Sequence, residues 1–338
     1  MINVTIYYRK NDPESQAVIG YCQEMGERFP HQLILIDIDE DEDLQQRFEK
    51  TFPVLNVGPY VLHRPINRKD LEVVLGAASD RMQRLEKSGD KGYQDRVERG
   101  RQFSSTDRIV SWISRHYLAL FNAILFLYVF LPFAAPVLMK QGLQEEARII
   151  YTLFSPFCHQ MAFRSFFLFG EQPYYPRSLA SVPGAKTYED IMGIDPAANE
   201  KTDAFILTAR NFLGNDQVGY KMAICERDVA MYGSILLFGL VFAASRKRIK
   251  SVPWYIWLVI GVLPIAIDGF SQFPGLIAGL PAFLPDREST PFLRVLTGAL
   301  FGFMTAWYLY PLIEASMRET RSMFAYKRSA VAQMTSKD

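Results

Sequence analysis

The chain has 338 residues, 37 basic and 36 acidic, for a net charge of +1, and 49% of it is hydrophobic. So even a charge balance gives no case for nucleic acid, and the length admits two folding units. The average also hides a split, because the first 115 residues are charged and mixed while much of the remainder is apolar enough for a bilayer.

The opening, MINVTIYYRK, alternates like a strand and carries charge where a signal peptide needs an apolar core, so the N-terminal part is expected in the cytoplasm. Periodicity then predicts a strand over Val4–Tyr8, a helix over Pro13–Arg28, a strand over Gln32–Asp37 and a helix over Glu42–Lys50. Strands over Val54–Val57 and Tyr60–Arg64 and a helix over Arg68–Ala77 follow. This βαβαββα order, within residues 1–80, resembles the glutaredoxin-like branch of the thioredoxin fold. TFPVL stands where that fold holds a proline in cis, which makes Pro53 the expected cis-proline, and LHRPINRKDLEVVL is similar to its last strand and helix.

The resemblance implies a redox C-x-x-C just after the first strand, but RKNDPESQ stands there. Without a thiolate to attack a disulfide, the domain is expected to be non-catalytic and to serve as a docking module. Cys22, farther along the first helix, reads as a small apolar residue packed on the sheet.

Residues 81–107 form a charged linker broken by Gly89, Gly92 and Gly100. Arg96, Arg99, Arg101, Arg108 and Arg115 lead into the first greasy segment and suit either anionic headgroups or plain solvation. The membrane domain, 108–316, is read with four spans at about 117–139, 229–245, 252–268 and 295–313. The short loop SRKRIKS, with Arg246, Lys247, Arg248 and Lys250, marks the cytoplasmic side, and the tail 317–338 agrees. Both termini are then cytoplasmic, in a cell inner membrane, and residues 140–228 and 269–293 lie outside.

SPFCHQMAFRSFF, residues 155–167, sets Cys158, His159, Gln160 and Arg164 in a greasy run. Crossing parity forbids a span there, so a re-entrant or interfacial helix is expected, in an otherwise all-α domain. The same topology brings Cys225, Arg227 and Asp228 to that level, with Asp268 and Gln272 from one span end and Arg287 and Arg294 from another. These residues, with Gln160 and Arg164, make a candidate polar pocket.

Here the chain resembles a family of bacterial predicted membrane proteins, DUF2085, over about residues 110–315. The matching residues are Cys158, His159, Gln160, Arg164, Ser165, Cys225, Arg227, Asp268, Gly269, Gln272, Arg294, Thr297 and Gly298. The resemblance implies a shared fold and supplies no activity. Asp228 stands where that pattern has a second cysteine, and an insertion at about 171–224, read as a loop with two short helices, separates the cysteine motifs.

Three readings stand for the cysteines: a disulfide, a metal site of Cys158, His159, Cys225 and Asp228 taking zinc or another transition metal, or inert packing. The arginines suit a lipid headgroup or salt bridges with Asp228, Asp268 and Glu288 equally. The functional expectation is a membrane protein with an extracytoplasmic site for a metal, a lipid headgroup or both. The alternative is a non-catalytic subunit of a membrane complex, braced by a Cys158–Cys225 disulfide. No reaction is legible, and the expected partners are the bilayer and other subunits, not nucleic acid.

Overall fold

The computed structural model describes residues 2–40, 44–45, 48, 51–88, 100, 102–195, 203–272 and 287–335. They belong to two compact units, residues 1–116 with 315–338, and residues 117–314.

In the first unit, β1 (Ile2–Tyr8), β2 (His31–Asp37), β3 (Val54–Val57) and β4 (Tyr60–His63) form one sheet in the order β2-β1-β3-β4. β1 runs parallel to β2, with Ile2 opposite His31, and antiparallel to β3, with Val4 opposite Val57. A central strand is covered on both faces, which is why INVTIYY is nearly all apolar. Ile2, Val4 and Ile6 pack against Val18, Ile19 and Cys22 of α1 (Pro13–Glu24) and Leu71 and Leu75 of α2 (Arg68–Ser88). Tyr7 packs with Ile34, Ile36, Phe48 and Val54 in a second core that includes Ala330 and Tyr326, far along the chain.

Helix α1 starts where the sequence tells it to: Pro13 occupies its first turn, and Asp12 caps it by accepting from the Ser15 N–H at 2.7 Å. It stops at Glu24 rather than Arg28, and α2 runs past Ala77 to Ser88. Most of the expected helix at Glu42–Lys50 lies outside the described residues. The peptides preceding Pro53 and Pro65 are cis.

Among the described residues, three helices are long and apolar enough to cross a membrane: α3 (Ser105–Lys140), α7 (Glu226–Ala244) and α9 (Pro291–Thr335). The third expected span is a shorter apolar helix, α8 (Trp254–Phe270), with a π-helical stretch at Trp257–Val262. Helix α9 does not stop near residue 313 but continues to Thr335. Its last turns join the first unit, where Lys327 meets Asp107 at 2.6 Å and Phe103 packs edge-on against Phe324.

Helices α7 and α9 approach through the G-x-x-x-G at Gly298 and Gly302. A Cβ on Gly298 would lie 2.7 Å from the Arg227 carbonyl oxygen, and one on Gly302 would strike the Met231 backbone. Only glycine permits that approach, the usual device where helices lack a hydrophobic drive to associate. At the far end of α7, Lys247 lies 3.3 Å from Glu314 and over the Tyr117 ring, and the Tyr117 hydroxyl donates to Glu314 at 2.8 Å. The basic loop and the first turn of α7 therefore mark opposite ends of these helices.

Between α3 and α7 the second unit is not all-helical. Helix α4 (Gln144–Phe154) ends just before the greasy run, and the run itself, expected as a re-entrant or interfacial helix, turns through Cys158 and a 3-10 turn at Ala162–Arg164 into strand β5 (Ser165–Leu168). Two short helices follow, α5 (Tyr188–Met192) and α6 (Asp203–Asn211), then β6 (Gly214–Asn215) and β7 (Gly219–Cys225). The strands pair antiparallel in the order β5-β7-β6. Gly219, at φ +79, sits where a Cβ would enter the β5 backbone, so this platform also depends on glycine.

Candidate metal and thiol centre

Helix α4 delivers the first cysteine. Past Phe154 the chain turns, and Gln160 adopts φ +54, a left-handed conformation rare outside glycine. Its side chain secures that turn: the amide donates to the carbonyls of Tyr151 at 2.8 Å and Ala223 at 2.9 Å. Cys158 is thereby held in a core with Tyr151, Met222 and Ile224. Its sulfur accepts the Gln160 N–H at 3.5 Å and the Cys225 N–H at 3.3 Å.

Cys225 ends β7 and is the N-cap residue of α7. Asp228, three residues on, shares its face of the first turn. Ligand atoms of Cys158, Cys225 and Asp228 all lie within 4.8 Å of one another. Both cysteines are free thiols, and the hydrogen bond with Cys158, followed by burial, pushes the Cys225 thiol well above its ordinary range.

Two soft sulfurs and a carboxylate oxygen suit a borderline-soft ion such as zinc, and two sulfurs this close also suit a cross-link. The three residues line a cleft of about 150 Å³ together with Phe157, His159, Gln160, Met161 and Arg164. His159, expected as a fourth ligand, is exposed and is not among the converging atoms.

The expected polar pocket resolves into two carboxylate hubs. Glu288 accepts from Arg164 through Nε at 2.9 Å and Nη2 at 2.6 Å, and from Arg294; Arg177 lies 3.9 Å away. Asp268 accepts from Arg227, from Arg287 at 2.9 Å and from Ser289 at 2.7 Å, while Gln272 donates to its backbone carbonyl. Gln160 is a clamp under the cysteines and joins neither hub.

Among the described residues, sequence reasoning missed five buried charged groups, Arg177, Glu189, Lys221, Glu226 and Glu314. Arg177 pairs with Glu189 at 3.6 Å. Lys221 is fully buried in β7, donates to the Gln160 carbonyl at 2.7 Å, and has its ammonium lowered to about 7 by desolvation. Glu226 is fully buried with neither carboxylate oxygen hydrogen-bonded. The only signal available was charge in otherwise apolar surroundings, and one of the five, Glu226, directly follows Cys225 in the chain.

Known proteins narrow the frame without supplying a reaction. Residues 209–308 match the model of a family described as Predicted membrane protein (DUF2085). That stretch includes Cys225, Asp268 and Arg294, and leaves out Cys158. The chain is also 25% identical over 209 residues to Uncharacterized protein MJ1492 of Methanocaldococcus jannaschii, covering 59% of this chain and 94% of that protein. This relative is archaeal, whereas the sequence reading anticipated bacterial proteins. No solved structure matches the chain.

Proposed function

We propose that this chain is an accessory, non-catalytic subunit of a membrane complex, in which the Cys158–Cys225 pair braces the β5-β7-β6 platform onto the first turn of α7. The seating of Cys158 carries this reading: its sulfur sits in the platform core, faces Cys225 and takes two backbone N–H groups. Oxidation would join the two sulfurs, with two protons and two electrons leaving to a disulfide-exchange partner. The surrounding arginines already serve Glu288 and Asp268.

The first unit fits a docking role. Its strand order supports the glutaredoxin-like reading, and burial pushes its one thiol, Cys22, up to about 12, far from reactive. The crowding of Arg246, Lys247, Arg248 and Lys250 at the other end of α7 supports an extracytoplasmic platform, with both termini in the cytoplasm of an inner-membrane protein. Alkylation with and without reductant, read by mass spectrometry, tests the brace. Cys158 and Cys225 should label only after reduction, and Cys158→Ser and Cys225→Ser should lose equal stability, which reductant mimics. Free labelling without reductant, with unchanged stability in both variants, would overturn it.

A second reading is favoured by Asp228, whose carboxylate joins the two sulfurs and has no part in a disulfide. In the reduced protein the same three residues would hold zinc or another transition metal, with a lipid headgroup near the arginines. Stoichiometric metal in the reduced protein, lost on Asp228→Ala, is the expected result.

A further inference from the structure

Resting on the metal reading of this cluster, we infer that the ion keeps one coordination position open to the cleft, and that this position takes a phosphate group guided by Arg164. A tetrahedral ion needs four donors, and closed structural sites supply all four from protein, whereas sites with three leave room for an outside ligand. Here three ligand atoms converge among the described residues, and all three residues line the cleft. The fourth direction thus has open volume available in place of a protein donor.

The lining on the other side suits an oxyanion. Arg164 borders the cleft, and its side chain is 39% exposed even though Glu288 takes its Nε and Nη2. Glu288 thereby fixes the guanidinium plane, while Nη1 has no protein partner among the described residues. A guanidinium held this way presents a preorganised donor to phosphate. His159, exposed at the same lip, adds a ring nitrogen. The phosphate source is either free phosphate or a phospholipid headgroup, since the chemistry is shared.

The test uses the full-length reduced protein with Co²⁺ as the metal, in maltoside micelles. Thiolate-to-cobalt charge transfer reports the ion, and the d–d bands report its open position. Inorganic phosphate should shift the d–d bands saturably. Arg164→Gln should weaken that response about 10- to 100-fold, the loss of one charge-assisted hydrogen bond, with charge transfer unchanged. Arg164→Lys, which keeps a cation for Glu288, should give a smaller loss and serves if Arg164→Gln does not fold. Nanodiscs of phosphatidylglycerol without added phosphate should shift the bands if the source is lipid, and leave them unmoved if it is the free ion. No charge transfer at all would sink the metal reading itself. Charge transfer with d–d bands indifferent to both phosphate sources, or equally responsive in both Arg164 variants and wild type, would overturn the open position or its guidance and leave the metal reading standing.

Discussion

Glu288→Gln is the sharpest test of the charge network, because it keeps the shape of the side chain and removes one charge. Glu288 is 3% exposed, and its carboxylate receives Arg164 and Arg294, with Arg177 at 3.9 Å. The side chains of Arg294 and Arg177 are only 4% and 2% exposed, so neither can turn to water. Arg177 keeps Glu189, but Arg294 is left with Glu226, to which it makes no hydrogen bond.

Breaking a buried pair from one side costs about 3 to 5 kcal/mol. Glutamine retains one acceptor oxygen, which places the cost near the lower end, about 3 kcal/mol. For a unit of this size that is a fall in Tm of roughly 6 to 12 °C. The assay is tryptophan-monitored thermal unfolding in a single detergent, on Glu288→Gln, Arg294→Met and the double variant. The double should cost less than the sum by at least about 1 kcal/mol, because the second change removes the charge that the first one orphaned. A single variant within about 0.5 kcal/mol of wild type, or strict additivity, refutes the reasoning.

Gly302→Val should destabilise the second unit by several kcal/mol, as overpacking against the Met231 backbone forces α7 and α9 apart; an unchanged Tm would contradict that packing. The unfolded chain holds the Lys221 proton to about 10.4, whereas the folded chain releases it at about 7. Between about pH 7 and pH 9 the unfolded state therefore binds more protons, so stability rises with pH by up to about 1.4 kcal/mol per unit. Above that window the raised Cys225 thiol acts in the opposite direction. Lys221→Met should flatten the rise, and equal slopes would refute the assignment. In the reduced protein, His159→Ala should leave metal content unchanged while Asp228→Ala lowers affinity at least about tenfold, read by competition with a chelator.

The strands of the first unit were legible because VTIYY and QLILID are short runs rich in β-branched, aromatic and aliphatic residues between turn signals, buried on both faces in β1 and alternately in β2. The platform strands were not. Phe166, Phe167 and Leu168 continue an apolar run out of α4, and such runs do not distinguish a helix from a buried strand. β7 lay hidden for a different reason, since Lys221 interrupts its pattern and pairs inside the fold rather than with solvent. Among the site residues, the cysteines and arginines stood out by being polar in apolar surroundings. His159 shows the limit of adjacency, because next to Cys158 in a turn it is exposed and does not converge with the three ligand atoms. Glu226 shows another: an acid in the first turn of a helix usually faces water and the helix dipole, so nothing local marks it as buried.

Four consecutive residues at the start of α7 hold the second unit's polar chemistry together. Cys225 meets Cys158, Arg227 reaches Asp268 on α8, and Asp228 returns to the sulfurs. Glu226 lies among Arg294, Arg164 and Arg227 with no hydrogen bond of its own. At about 100° of rotation per residue, each side chain leaves the helix toward a different neighbour. The thiol centre and the Asp268 hub therefore share one helical turn, and the close approach of Gly298 to the Arg227 carbonyl leaves that turn little room to shift. A change in the bond state of Cys225 must then be absorbed at the first turn of α7, where Arg227 and Glu226 face α8 and the start of α9. The proposed disulfide or metal ion at Cys225 would therefore bear on the helix bundle and not on the platform alone, which is the physical reason a brace at this position would matter to a membrane subunit.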